Sequence, residues 1–278
     1  MMSDGFQLCY RRCKPTTDRR GAILCIHGTG ENSEFFRPVG EDLAKAGYEV
    51  YAVDLRGFGL STEEDLLRGD THSFKRHLQD LVEVMTLIRG EHPTEAVFLL
   101  GHSHGCAYAL WCAANHPELI RGVVLAAPPV ESTSKVNKRQ YAKFALLLLF
   151  APKSMFSFGD RGKPDPRIPQ DSPVAESVSI RWLYGSKKLL LDPLFGNAAR
   201  MLSPVLILQG KRDTVTLPQG ARNLLERLGT QDKTMHLFEG ADHFLYDEFV
   251  PTRGSGDTVG RRVLVDVLVG WLDRITHL

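Results

Sequence analysis

Val97-Phe98-Leu99-Leu100-Gly101-His102-Ser103-His104-Gly105 is the stretch whose reading decides the fold. Its first four residues are a short apolar run, as expected of a strand buried on both faces. Residues 106–115 read as a helix. Strand, Gly-x-Ser-x-Gly, helix is the setting of a nucleophile elbow. A turn this sharp brings the two backbones together, and a Cβ at position 101 or 105 would collide with them. Ser103 then sits strained at the apex, with its hydroxyl raised clear of the sheet. A Gly/Ser-rich turn without chemistry satisfies the same five letters, and it is the flanking strand and helix that favour catalysis.

Working outward toward the amino terminus, residues 6–12 read as an edge strand and 21–26 as a buried one. The second runs into His27-Gly28-Thr29-Gly30-Glu31-Asn32, ahead of a helix expected at 36–47. Backbone N–H groups in such a glycine-rich loop are free to face an anion. In acyl transfer that anion is the oxygen of the tetrahedral intermediate, and the donors expected are the N–H groups of Thr29 and His104. His27 is assigned to bracing the loop. A strand at 48–54 ends in Asp54-Leu55-Arg56-Gly57-Phe58-Gly59-Leu60-Ser61, where Asp54 and Arg56 are likewise assigned to bracing. Residues 72–92 carry Phe74, Leu78, Leu81, Met85 and Ile88 on one helical stripe. His72, His77 and His92 are assigned to the solvated face of that helix.

Working outward toward the carboxyl terminus, 120–127 is a buried strand, and the alternation then breaks. Pro128-Pro129 ends the strand, an apolar helix is expected at 141–150, and 159–173 is rich in Pro, Gly and charge. Residues 177–191 read as helical. Some 75 residues without a clear strand exceed an ordinary loop and are assigned to a helical cap. Strands return at 205–209 and 234–238, with helices at 219–228 and 259–277.

A serine hydroxyl needs a base, and the base an orienting carboxylate. The two late strands lead to Gly210-Lys211-Arg212-Asp213 and Glu239-Gly240-Ala241-Asp242-His243. His243 is the expected base and Asp213 its partner, since the carboxylate of Asp242, next in sequence to His243, points elsewhere. His102 and His104 flank the nucleophile too closely to fold back onto its hydroxyl, which leaves His104 to line the pocket.

Composition narrows the class. With 278 residues, 43% hydrophobic and a net charge of +1, the chain suits an ordinary globular core and has no field to attract nucleic acid. Five cysteines, an odd number, read as reduced thiols of a cytoplasmic protein. Cys9-x3-Cys13 lacks a second pair, so no metal or cofactor is expected. Residues 1–10 lack the basic start and apolar block of a secretion signal. The longest apolar run, 144–151, is too short to span a bilayer.

Taken together, His27-Gly28-Thr29-Gly30-Glu31, the 54–61 loop, the elbow and the two late strand ends resemble the α/β-hydrolase superfamily. Within it the chain is similar to the monoacylglycerol lipase and lysophospholipase-like serine hydrolases. The resemblance implies an α/β fold, a mostly parallel central sheet with helices on both faces and an inserted helical cap. The core is then 1–129 and 204–278, and the cap 130–203. The implied chemistry is hydrolysis of a small, lipid-like ester by Ser103, His243 and Asp213, with Thr29 and His104 as oxyanion donors. A thioesterase, acyltransferase or amide/peptide hydrolase shares the same triad, and a non-catalytic binding protein shares the same fold. The family often has Met or Gln after the nucleophile and a further Gly beyond the motif, where this chain has His104 and Cys106. The apolar run Leu146 to Phe150 offers an acyl-lining wall or a peripheral membrane contact, as well as plain core packing.

Overall fold

The structure, a computed structural model, describes residues 1–62, 65–131, 138–157, 173–245 and 261–276. In chain order the first half comprises β1 (Tyr10–Cys13), β2 (Gly21–Ile26), α1 (Arg37–Lys45), β3 (Tyr48–Val53), α2 (Phe74–Glu91), β4 (Ala96–His102), α3 (Gly105–Asn115) and β5 (Gly122–Ala126). The second half comprises α4 (Lys138–Phe150), β6 (Met155–Ser157), β7 (Ser177–Ser179), α5 (Ile180–Ser186), α6 (Leu194–Ala199), β8 (Val205–Gly210), α7 (Pro218–Arg227), β9 (Lys233–Phe238) and α8 (Arg261–Thr276).

Seven strands form one sheet in the order β1-β3-β2-β4-β5-β8-β9, parallel throughout except for the antiparallel edge strand β1. Every residue of β2, β3, β5 and β8 is buried, which is why these strands read as largely apolar runs, interrupted by Glu49 in β3 and Gln209 in β8. Successive side chains still go to opposite faces. Val97 and Leu99 join one core with α2, α3, α6 and α7, while Phe98 and Leu100 join the other with α1 and α8. The chain is thus an α/β protein with helices on both faces of a mostly parallel sheet, as its sequence implies.

The strand order places the site. From β2 the chain moves outward to β3, crosses back to β4 on the other side of β2, and continues away to β5, β8 and β9. The direction reverses between β2 and β4, and ligands of open α/β sheets bind outside the carboxyl ends of strands at such a switch point. The 27–31 loop leaves β2 there, and Ser103 leaves β4.

Four expectations need correction. The edge strand begins at Tyr10 rather than at residue 6, because Phe6 packs beneath the Arg56 guanidinium, 3.8 Å above its ring, instead of extending the sheet. The 130–203 stretch contains a short antiparallel hairpin, β6 with β7, whose three-residue strands are too brief to show alternation. Residues 177–191 are not one helix; they are β7, α5 and a π-turn at Lys187–Leu191. Two of the three histidines assigned to a solvated face are fully buried, and only His72 is exposed. His77 lies one helical turn from Phe74, stacks on it at 5.1 Å and bonds Tyr108 Oη through Nδ1 at 3.1 Å. His92 bonds Tyr51 Oη at 3.0 Å. Burial keeps both rings neutral, with His77 lowered to about 3. Residues 159–172 lie outside the described residues. Among the described residues no helix is long and apolar enough to cross a membrane.

Candidate active site

The elbow forms where β4 gives way to α3 within two residues. Ser103 has φ 50°, in the left-handed region that a side chain rarely enters, and its N–H donates to Ala126 O at 2.8 Å. The two motif glycines are required by contact. A Cβ on Gly105 would lie 2.0 Å from Ile26 O, and one on Gly101 would lie 2.5 Å from Gly105 O.

Ser103 Oγ lies 3.0 Å from His243 Nε2, and His243 Nδ1 lies 2.9 Å from Asp213 Oδ2. Asp213 and His243 reach the site from the loops after β8 and β9, 30 residues apart in sequence. The Asp213 carboxylate also accepts from Val215 N–H (2.8 Å), Thr216 N–H (2.9 Å), Thr216 Oγ1 (2.8 Å) and Gln209 Nε2 (3.0 Å). Burial raises its pKa, but His243 and the two Thr216 donors outweigh that and hold it below the usual carboxylate range. A carboxylate at Nδ1 requires a proton there, which leaves Nε2 bare to accept from the Ser103 hydroxyl. Asp242 does not reach the imidazole; its Oδ1 accepts from Phe244 N–H at 2.9 Å.

The 27–31 loop lies directly against Ser103, since a Cβ on Gly28 would sit 3.0 Å from Ser103 Cβ. Among the described residues neither Thr29 N–H nor His104 N–H has an acceptor, and both stay available to a ligand oxygen. His27 clamps this loop. It is fully buried, its Nε2 accepts Leu55 N–H at 3.1 Å, and its Nδ1–H donates to Gly28 O at 2.8 Å. Burial lowers its pKa, which suits that neutral tautomer. Asp54 accepts from Ser33 N–H (2.6 Å) and Leu60 N–H (2.9 Å), while Arg56 pairs with buried Asp80 at 2.8 Å and Asp4 at 2.9 Å. Both therefore brace the loop after β3.

His104 is 7% exposed, and its side-chain Nε2 lies 3.0 Å from Ser186 Oγ on α5. Its ring also meets Tyr108 and Trp182, and burial pushes its pKa down to about 4. Two pairs of partners escape sequence reading. Thr216 and Val215 follow Asp213 at the spacing of an aspartate-capped turn, a signal present in the sequence. Glu31 and His102 have no such local sign, because their bond joins the loop after β2 to the last residue of β4, 71 residues away.

A sequence profile of the family described as "Serine aminopeptidase, S33" matches residues 17–249. The chain is an α/β-hydrolase. Over 91% of its length this α/β-hydrolase is 32% identical to a monoglyceride lipase of Homo sapiens, 85% of which is covered. It is 24% identical to a monoacylglycerol lipase of Mycolicibacterium smegmatis, with 99% of this chain and 95% of the relative aligned. Among solved structures, the crystal structure of Paleococcus ferrophilus monoacylglycerol lipase superposes with a TM-score of 0.78 at 28% identity, covering 97% of this chain and 99% of that one. These likenesses set the α/β-hydrolase among the carboxylic-ester hydrolases.

Proposed function

We propose that this α/β-hydrolase cleaves monoacylglycerol-like or lysophospholipid-like esters through an acyl-enzyme on Ser103. The observation that carries the reading is the 3.0 Å approach of His243 Nε2 to Ser103 Oγ, with Asp213 2.9 Å behind the ring. Ser103 Oγ attacks the ester carbonyl as His243 Nε2 takes its proton. The tetrahedral oxygen gathers charge between the N–H groups of Thr29 and His104, the latter at the amino terminus of α3. Collapse of this intermediate breaks the ester bond, and the departing alcohol takes the proton from His243. Water then attacks the acyl-enzyme by the same route and releases the carboxylic acid. Asp213 holds the Nδ1 proton throughout and offsets the imidazolium charge.

Residues 130–203 are read as a cap over this site. Ala175 N–H donates to Gly30 O at 2.9 Å, Arg181 grips buried Asp70 with two 2.7 Å bonds, and Ser186 meets His104. On α4, Leu146, Leu149 and Phe150 are exposed, as is Phe156 on β6. This apolar face suits an acyl chain or a lipid surface. An aminopeptidase would need an anionic group for the substrate ammonium. Glu31 and Asp213 are both turned inward onto histidines and backbone N–H groups, which favours the ester reading.

The test is hydrolysis of monoacylglycerols, lysophospholipids, acyl-CoA thioesters and aminoacyl amides by the wild type and Ser103→Ala. The glycerol or lysolipid esters should turn over fastest, and Ser103→Ala should fall by several orders of magnitude, toward the roughly 10⁶-fold seen in a serine protease. Preferred cleavage of amides or thioesters would contradict the substrate assignment.

A further inference from the structure

His102 immediately precedes the nucleophile, is fully buried, and has an obligate acceptor at each ring nitrogen. Its Nδ1 lies 3.0 Å from Glu31 Oε2, and its Nε2 lies 3.0 Å from the backbone carbonyl oxygen of His243. A carbonyl oxygen only accepts, so Nε2 carries a proton. A carboxylate also only accepts, so Nδ1 carries the other. The same Glu31 oxygen takes Gly28 N–H at 2.7 Å, and the Phe35 ring lies 4.5 Å from the imidazole.

From this geometry we infer that His102 is a fixed imidazolium that ties the three active-site loops together: the 27–31 loop through Glu31, the elbow through its own backbone, and the histidine loop through His243 O. It acts as a positioning residue. It touches neither substrate nor the reacting hydroxyl, and it sets where the His243 backbone, and so the His243 ring, stands relative to Ser103. The two imidazoles are 5.1 Å apart between ring centres. The inference rests on the triad reading for its effect on turnover, but the protonation state stands independently of it.

The balance of forces favours the ion pair. Burial opposes the charge on His102, but the Glu31 carboxylate outweighs it and raises the His102 pKa above its ordinary value. Burial raises Glu31 in turn, and His102 and Gly28 N–H bring it below its ordinary value. Of the other titratable groups packed around the pair, His27 opposes a second positive charge and Asp213 supports it, while the His243 ring lies 5.1 Å from His102 and the buried Cys106 thiol feels the Glu31 charge. A buried charge is stable only when paired and hydrogen-bonded, and here both imidazolium N–H groups have partners.

The experiment is ¹⁵N-histidine NMR of the intact protein at neutral pH, with His102→Gln used to assign the signal. One imidazole with protons on both nitrogens, persisting in Ser103→Ala, is the expected result. A bare nitrogen on His102 in the wild type would overturn the inference, whatever the enzyme's activity. In Glu31→Gln the buried charge loses its counter-ion, and the imidazole should give up its Nδ1 proton. That ring should keep only the Nε2 proton. His102→Phe loses both bonds, and kcat should drop about 10²-fold with KM little moved, the effect expected of displacing a catalytic group by about 1 Å. Glu31→Gln should lose less, since its neutral ring still donates to His243 O. Wild-type kcat in a folded His102→Phe would overturn the positioning role, whereas a failed triad would show separately as an active Ser103→Ala.

Discussion

Gly28 and Ser103 are in such close contact that a Cβ on residue 28 would lie 3.0 Å from the Ser103 Cβ and 3.0 Å from Glu31 Oε2. The loop after β2 and the elbow after β4 thus meet at a hydrogen atom. Two parallel neighbouring strands deliver Ser103 and the 27–31 loop to one point.

Gly28→Ala should therefore act on catalysis more than on folding. The added methyl has to push Ser103 or Glu31 aside by a few tenths of an ångström, which misaligns the oxyanion donors. We expect kcat/KM to fall by about 10- to 100-fold, in line with a misplaced catalytic group. Circular dichroism should remain that of the wild type. Steady-state ester kinetics decide it, and unchanged kcat/KM would contradict this packing.

Acid sensitivity should trace in part to His104. Its pKa is lowered by burial from 6.5 to about 4, so the unfolded chain binds a proton that the folded chain refuses. The stabilisation is complete above about pH 6.5 and is lost as the pH falls from there through about 4. For a single buried histidine this amounts to on the order of 3 kcal/mol. His104→Gln removes the titration and leaves the backbone N–H in place. Thermal melts from pH 7.5 to 4 should fall less steeply in this variant, and parallel curves would rule out the linkage.

Arg181 and Asp70 join α5 to the loop ahead of α2, and Asp70 is 3% exposed. Arg181→Ala leaves that carboxylate buried without its cation, a change that typically costs about 3 kcal/mol or more. Urea unfolding should register the loss. If residues 130–203 act as a cap, KM for long-chain esters should rise more than KM for short ones.

Much of this was legible because the chemistry is written locally. The elbow occupies five consecutive residues, and its glycines are fixed by backbone contacts with Ile26 and with each other. Asp213 and His243 are findable because each lies in the loop that leaves a buried or half-buried strand, and parallel strands end on one side of a sheet. What stays hidden depends on partners far along the chain. His77 and His92 look polar in sequence, and the hydroxyls of Tyr108 and Tyr51, far along the chain, help to bury them. The β6–β7 hairpin is too short to leave a period. Glu31 can be read as part of a loop motif, but its bond to His102 exists only once β2 and β4 lie side by side.

The central claim is that Ser103 is a hydroxyl activated by His243, and covalent labelling tests it most directly. A fluorophosphonate probe followed by peptide mass spectrometry should place one adduct on Ser103, absent in Ser103→Ala and formed far more slowly in His243→Ala. An adduct at another residue, or ester hydrolysis that continues while Ser103 stays unlabelled, would contradict the account.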